Sequence, residues 1–469
     1  MKKVLFFSRD IYAKLFAEVR LPKYDKYHVV RNVKEKKMVT ERGGHVVGCL
    51  EEEYSTLCGQ EYCEFYLKNG YQPSRYLNWL SFRERKEVLS KEIDFVRKVL
   101  STKNYFAVVH ETVSSEIEEI ISLEAKRKDI HDVTFINLPI KKRFLLKDIP
   151  YSSRLGEKYA KATPNESQRL CARKRIEKIK EGGLDPVYVH RGRKSNNSVK
   201  ELINSLSVLK SKLKRLGRYM NNKIHKYNLN IDWRVSSAKE RSLFYPDYFR
   251  HSTVTEYLAN KVQRYTNKYS NICLENNTNY VLYPMQVTPE ASVRYFSPDI
   301  NEHTSVIRAI CRVLPMNTKL VVKEHPNQKG RLMDQEFIKI RNRNPNVCYL
   351  PADASLERLI KNAQYIVAIS STVGWEALVY DKPVLLFGDV WYDGHKNVKK
   401  LDSFKNLRYE AKNIRPKGVT DEYNVKFLSK VLSVAQKGYI YHENKDILYS
   451  RKNKKDLAYS FASYLSELQ

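Results

Sequence analysis

The chain of 469 residues is long enough for two or three domains, each burying a core of its own, and two is the working division. Apolar residues at 42% and aromatics at 12% exclude a disordered chain, and no apolar run approaches the roughly 20 residues that span a bilayer. A formal net charge of +31 predicts attraction to something anionic, whether nucleic acid, a lipid surface or a phosphorylated substrate, without choosing among them.

The opening MKKVLFF turns from basic to apolar but stops at Ser8-Arg9-Asp10, too soon for the core of a signal peptide, so it reads as a first strand. Gly43-Gly44 resembles a glycine turn without the spacing of a dinucleotide fingerprint. YFAVVH (105–110) is a second strand, followed by a helical pattern from Val113 to about Arg127. Residues 1–148 form a first α/β domain on this reading. The seven cysteines are odd in number and scattered, without a C-x-x-C pair, which suits a reducing cytoplasm. Cys49, Cys58 and Cys63, beside His45, form the closest trio; small buried thiols are preferred there over a metal site.

Over residues 149–275 the texture becomes rich in lysine and arginine with apolar residues at helical spacing, a basic and mainly helical insertion. Leu202, Leu206, Leu209, Leu213 and Leu216 share one helix face. Two readings stand: a solvated helix docked on the body, or a basic helix lying on anionic lipid headgroups or a lipid-linked acceptor. From Asn279 the strands YVLYP, KLVVKEHP, NVCYL, YIVAIS and PVLLFG alternate with helical patterns, including ones around His303–Leu314 and Met333–Asn342. Such alternation predicts a parallel sheet with crossover helices over 276–415, and helices over 416–469 packing back across the domains. The fold class is therefore α/β, two Rossmann-like domains with the basic insertion between them. Ligands of such sheets bind beyond the carboxyl ends of the strands.

Strand-exit motifs thus become the candidates. KLVVKEHP delivers Lys323, Glu324 and His325 together; Pro326 restricts His325 to extended geometry, a placement suited to meeting a phosphate. The second exit, YIVAISSTVGWEAL, brings Ser370, Ser371 and Thr372 to a helix start, with Gly374 permitting close approach. Free N–H groups and hydroxyls there fit a phosphate, although simple N-capping by Ser371 or Thr372 needs no ligand. Glu376 either complements the helix dipole or reaches a ribose diol. YPMQVTPEAS adds Gln286 and Glu290, the latter a catalytic carboxylate or a helix-cap acid.

YPMQVTPEAS, VVKEHP, SSTVGWEAL and KPVLLFG, in this order and spacing, resemble the bacterial capsule polysaccharide biosynthesis protein family, which includes β-Kdo transferases of two-domain GT-B architecture. The resemblance covers about a quarter of the chain strongly. It implies a metal-independent glycosyltransferase that needs no cofactor and moves a sugar from a nucleotide-activated, CMP-linked donor to a surface or capsular polysaccharide or its lipid-linked primer. The second domain would bind the nucleotide donor and the first would face the acceptor. His325, Ser370 and Ser371 would grip the nucleotide phosphate, with Gln286, Lys323, Glu324, Thr372, Gly374 and Glu376 around the donor. No D-x-D pair marks a metal site at a strand exit. A base for the acceptor hydroxyl would come from Asp10 or from His110-Glu111 in the first domain. GDVWYDGHK departs from the family's shorter turn after the last strand. The expected location is the cytoplasm, peripheral on the inner face of the membrane, where an anionic surface is a further partner. Rival expectations are a polyol-phosphate transferase using CDP-glycerol, an inactive export scaffold, and a basic nucleic-acid-binding protein. The last explains the charge and not the strand-exit motifs, so nucleic acid is not the expected partner.

Overall fold

A computed structural model describes residues 1–59, 82–140, 142–147, 161–182, 278–288, 293, 295–297, 300, 302–328, 331–441 and 444–469. Strand β1 (Lys2–Phe7) alternates its side chains between two cores: Val4 and Phe6 enter one, Leu5 and Phe7 the other. Burial on both faces is why this strand reads as a continuous apolar run. It is followed by β2 (Tyr24–Val30), β3 (His45–Cys49), β4 (Tyr105–Glu111), β5 (His131–Asn137) and β6 (Arg143–Lys147). Their order across the sheet is β3-β2-β1-β4-β5-β6, with β13 (Gln436–Lys437) beyond β6. The pairs up to β5 are parallel; β6 and β13 pair antiparallel.

The second sheet repeats the pattern. Strands β7 (Tyr280–Pro284), β8 (Lys319–Lys323), β9 (Val347–Leu350), β10 (Ile366–Ala368), β11 (Val384–Leu386) and β12 (Val398–Lys400) lie in the order β9-β8-β7-β10-β11-β12, all parallel. In each sheet the chain steps outward over three strands, then returns to the middle and steps the other way. The two Rossmann-like units therefore each have a reversal point, between β1 and β4 and between β7 and β10, where neighbouring connections diverge and leave a crevice.

Several element bounds shift for local reasons. The helix expected from Val113 begins at Glu116, because Ser115 is its N-cap and Glu118 reaches back to the Ser115 N–H at 2.7 Å. The Gly43-Gly44 pair closes the turn into β3: Gly43 has φ 74°, and a Cβ on Gly44 would lie 2.4 Å from Val39 Cγ1. Of the basic segment, the helix Glu166–Lys180 is described, and it docks Ala172, Ile176 and Ile179 into a core shared with Leu138 and Leu145 of the first unit and Leu282 and Val321 of the second. The Leu202–Leu216 face lies outside the described residues. The C-terminal segment serves both units. Helix Asp421–Val434 packs on the second; β13 then extends the first sheet, and helix Arg451–Glu467 buries Leu457, Phe461 and Leu465 with Phe6, Phe16 and Phe144. Of the cysteine trio, Cys49 is buried as expected and Cys58 is exposed, which corrects the reading of a buried thiol there; Cys63 lies outside the described residues. Among the described residues no helix is long and apolar enough to cross a membrane.

Candidate functional site

At the reversal point of the second sheet the loop leaving β7 is bonded to the loop leaving β10. The Gln286 amide donates from Nε2 to Ser370 Oγ (3.1 Å), while the Ser370 N–H donates to Gln286 Oε1 (2.9 Å). His303 fixes Gln286 from behind: its Nε2 donates to the Gln286 carbonyl (2.8 Å) and its Nδ1 accepts from the Tyr283 hydroxyl (2.5 Å). One donor and one acceptor describe a neutral imidazole, and burial pushes the His303 pKa down to about 4. On the other side, Gln328 pairs with Thr288 through both main-chain groups, Thr288 N–H to Oε1 (2.9 Å) and Nε2 to the Thr288 carbonyl (2.5 Å). The turn after β8 and the turn after β10 are thus both fastened to the loop of β7, their common neighbour in the sheet. His325 and Ser370 stand at the same edge, on either side of β7.

His325 is half-buried, and the Asn327 N–H donates to its Nδ1 (3.1 Å). The ring proton therefore resides on Nε2, the nitrogen able to donate to a ligand. Burial first, and the Lys323 charge second, lower its pKa to about 4. It is a neutral donor at physiological pH.

Lys323 and Glu324 differ from the expectation that they meet the nucleotide. Lys323 Nζ is buried and donates to the carbonyls of Ala352 (2.8 Å) and Glu324 (3.2 Å), and burial lowers its pKa to about 8. The Glu324 carboxylate accepts from the Leu332 N–H (3.1 Å) and is buried. Both brace the turns after β8 and β9, because a charge at a buried strand end takes the backbone groups within reach before any ligand.

Beyond β10, Ser371 is buried, its Oγ accepts from the Val373 N–H (3.2 Å), and its carbonyl accepts from the Tyr392 hydroxyl. Thr372 is exposed at the start of helix Val373–Val379 and makes no side-chain cap. The space at Gly374 is filled from within the protein: a Cβ there would lie 2.2 Å from the Tyr392 hydroxyl and 2.8 Å from Cζ. It admits Tyr392 and not a ligand, which corrects the reading of Gly374 as an open approach. Gly374→Ala forces the fully buried Tyr392 ring to shift, with an expected loss of about 1–3 kcal/mol, measurable as a lower urea midpoint. Glu376, one turn on, is pushed up to about 7 by burial, against the pull of Arg175 and Lys323. Arg175 comes from helix Glu166–Lys180, a contribution that sequence spacing could not reveal.

The reversal point of the first sheet gathers the remaining candidates. Asp10 has φ 48°, a conformation that strains a non-glycine residue, and its N–H donates to Glu35 Oε1 (2.7 Å). Arg9, buried, bonds Glu111 Oε2 (2.6 Å), Glu118 Oε1 and the Ser114 hydroxyl, and lies 3.4 Å from Asp10 Oδ2. Asp10 and Glu111 are therefore brought together on one guanidinium, a residue the strand-exit reading passed over. His110 belongs to the core. Its Nε2 donates to Asp132 (2.7 Å) and its Nδ1 to the Glu111 carbonyl (2.6 Å), and although burial alone would lower its pKa, the Asp132 charge and hydrogen bond raise it. Glu290 lies outside the described residues. Among the described residues no group of three His, Cys, Asp or Glu side chains could hold a metal ion.

The edge of the second sheet thus presents a neutral imidazole N–H and a serine-rich turn set by a bidentate amide, chemistry that suits an oxyanion. Comparison with known proteins finds similarity across this edge. The model of the capsule polysaccharide biosynthesis protein family matches residues 190–414, a range holding Gln286, His325, Ser370 and Glu376. The chain is similar to the capsule polysaccharide export protein KpsS of Escherichia coli, 28% identical over 126 residues, 25% of this chain and 32% of that protein. It is similar to Protein FixF of Sinorhizobium fredii, 32% identical over 116 residues, 24% of this chain and 27% of that protein. The matched stretches span about a third or less of these relatives. Among solved structures, KpsC, a beta Kdo 2,7 transferase of Thermosulfurimonas dismutans, aligns over 99% of both chains at 12% identity with a TM-score of 0.41. Residues 190–414, just under half of the chain, are thus similar to the capsule polysaccharide biosynthesis protein family.

Proposed function

We propose that the protein is a metal-independent glycosyltransferase of GT-B type, transferring a sugar from a nucleotide-activated, CMP-linked donor to a capsular polysaccharide or its lipid-linked primer. The observation that carries this reading is the junction of Gln286 with Ser370 at the β7/β10 reversal point, with His325 on the adjoining strand exit. A nucleotide phosphate leaving from that crevice gains negative charge. The His325 Nε2–H and the hydroxyl of Ser370 are donors held in place before the reaction, so they stabilise the charge without reorganising. Glu376, kept partly ionised by Arg175 and Lys323, suits a ribose diol. Asp10 or Glu111, from the opposite unit, supplies the base for the acceptor hydroxyl. Arg9 sets the position of both. The lipid-linked end of the acceptor would place the basic insertion near an anionic membrane surface in the cytoplasm.

The test is release of nucleotide from CMP-, UDP- and GDP-sugars with an acceptor glycan, followed by linkage analysis of the product. Acceptor-dependent release with a new glycosidic bond, undiminished by a chelator, supports the reading. A phosphodiester product from CDP-glycerol replaces the sugar transferase with a polyol-phosphate transferase. Acceptor-independent silence with every donor removes catalysis altogether.

A further inference from the structure

The cations drawn into the two sheets include several that are satisfied. Arg9 meets two carboxylates and a serine, Lys26 donates to the carbonyls of Phe16, Ala17 and Val19, and Lys323 donates to two carbonyls. Arg31 is the contrast. It follows β2 directly, at the edge where β1 delivers Arg9 and Asp10, and its side chain is 1% exposed. Among the described residues, its buried Nε, Nη1 and Nη2 have no hydrogen-bond partner. Glu35 lies near enough for its charge to feel Arg31 but makes no hydrogen bond to the guanidinium: it spends Oε1 on the Asp10 N–H and Oε2 on the N–H of Arg31 itself (2.9 Å). Across the same edge, Glu116, in the first turn of the helix after β4, has both carboxylate oxygens buried and without a donor among the described residues.

A guanidinium carries five N–H donors in a planar fork and stays ionised, so burying it without acceptors is strongly destabilising. Other buried side chains leave one or two polar atoms without a hydrogen-bond partner, but Arg31 leaves its whole guanidinium so, and local violations of this kind mark places where a ligand completes the structure. The fork matches the paired oxygens of a carboxylate or a phosphate. A carboxylate lacking donors at the same edge suits the hydroxyls of a sugar.

We propose that Arg31 anchors an oxyanion, a carboxylate or a phosphate, borne by the acceptor that enters the first unit, with Glu116 receiving acceptor hydroxyls. The inference rests on the transferase reading, in that it assigns the first unit to the acceptor. It makes the acceptor an acidic glycan or a phosphate-bearing primer, and makes Arg31 a specificity residue separate from the donor crevice.

The test uses the full chain and the variants Arg31→Met and Arg31→Lys. Replacing a buried, unanswered cation by an apolar side chain of similar length raises the melting temperature if the site is empty at rest. The same variant raises the KM for acceptor by about 10- to 100-fold, with the KM for donor unchanged, and Arg31→Lys recovers only part, since the ammonium lacks the fork. Thermal shifts at constant ionic strength with inorganic phosphate and with glucuronate identify the source. A shift with phosphate alone indicates a phosphate-bearing primer and a shift with glucuronate alone an acidic sugar; either is to be lost in Arg31→Met and kept in His325→Ala. An unchanged acceptor KM in a stabilised Arg31→Met, or equal shifts in that variant and the parent, overturns the proposal while leaving the donor site intact. If Arg31→Met does not fold, Arg31→Lys with an undiminished response overturns it equally. Loss of the phosphate response in His325→Ala alone assigns the anion to the donor crevice, which also overturns it.

Discussion

Replacing His325 by alanine is expected to lower turnover by about 10²- to 10³-fold, the loss typical of one oriented donor to a developing oxyanion. The reason lies in the tautomer. The Asn327 N–H occupies Nδ1, so Nε2 carries the proton outward, and burial with the Lys323 charge holds the ring neutral by lowering its pKa to about 4. Above about pH 5 the ring does not titrate, so the imidazole contributes no step to the pH–rate profile in the neutral range. Below that it gains a proton, Nδ1 loses its acceptor role, and the stability it contributes falls as the pH drops through the folded value, the direction for a histidine whose pKa is depressed. His325→Gln retains an N–H donor near the Nε2 position and should recover part of the turnover. The native turn bond lost in His325→Ala joins an exposed backbone N–H, so the melting temperature should barely move. Near-parental turnover in a folded His325→Ala would remove the phosphate-gripping role.

The largest effect on stability is expected at Arg9. Glu118 is fully buried, and removing Arg9 leaves its Oε1 without the cation while Oε2 keeps the Ser114 and Ser115 donors, a loss of about 3–5 kcal/mol for a broken buried pair. Arg9→Met should therefore lower the denaturant midpoint sharply. The double variant Arg9→Met with Glu118→Gln should recover a large part of the deficit, a coupling that chemical denaturation measures directly. If the two single losses simply add, the pair is not coupled and Arg9 does not position Glu111 through this network. Activity should fall in Arg9→Met more than stability explains, since Asp10 and Glu111 lose their common anchor.

Much of this molecule is legible before folding. The apolar runs at 2–7, 105–110, 280–284 and 319–323 are strands because a parallel sheet buries both faces and needs no alternation. Their alternation with helical patterns gives the fold class, and the habit of parallel sheets to bind ligands at strand exits points to 286, 325 and 370–372. These are local or nearly local facts. The short or half-polar strands β2, β3, β5 and β6 leave weaker marks, since their pattern depends on what covers each face.

What only the folded chain decides is partnership. Whether Lys323 faces a ligand or two carbonyls depends on where Ala352, 29 residues away, ends its turn. Gly374 reads as room for a substrate until Tyr392 is seen to fill it, and Gln286 becomes a fastener only because strand order places β10 beside β7. Arg9 and Arg31 stand 22 positions apart as two more basic residues in a chain with many; one is answered by carboxylates from the end of β4 and the helix after it, while among the described residues the guanidinium of the other has no hydrogen-bond partner. The sequence sets which groups each strand carries to its end. Tertiary packing, by desolvating some of them and pairing others across long separations, decides which remain free to do chemistry.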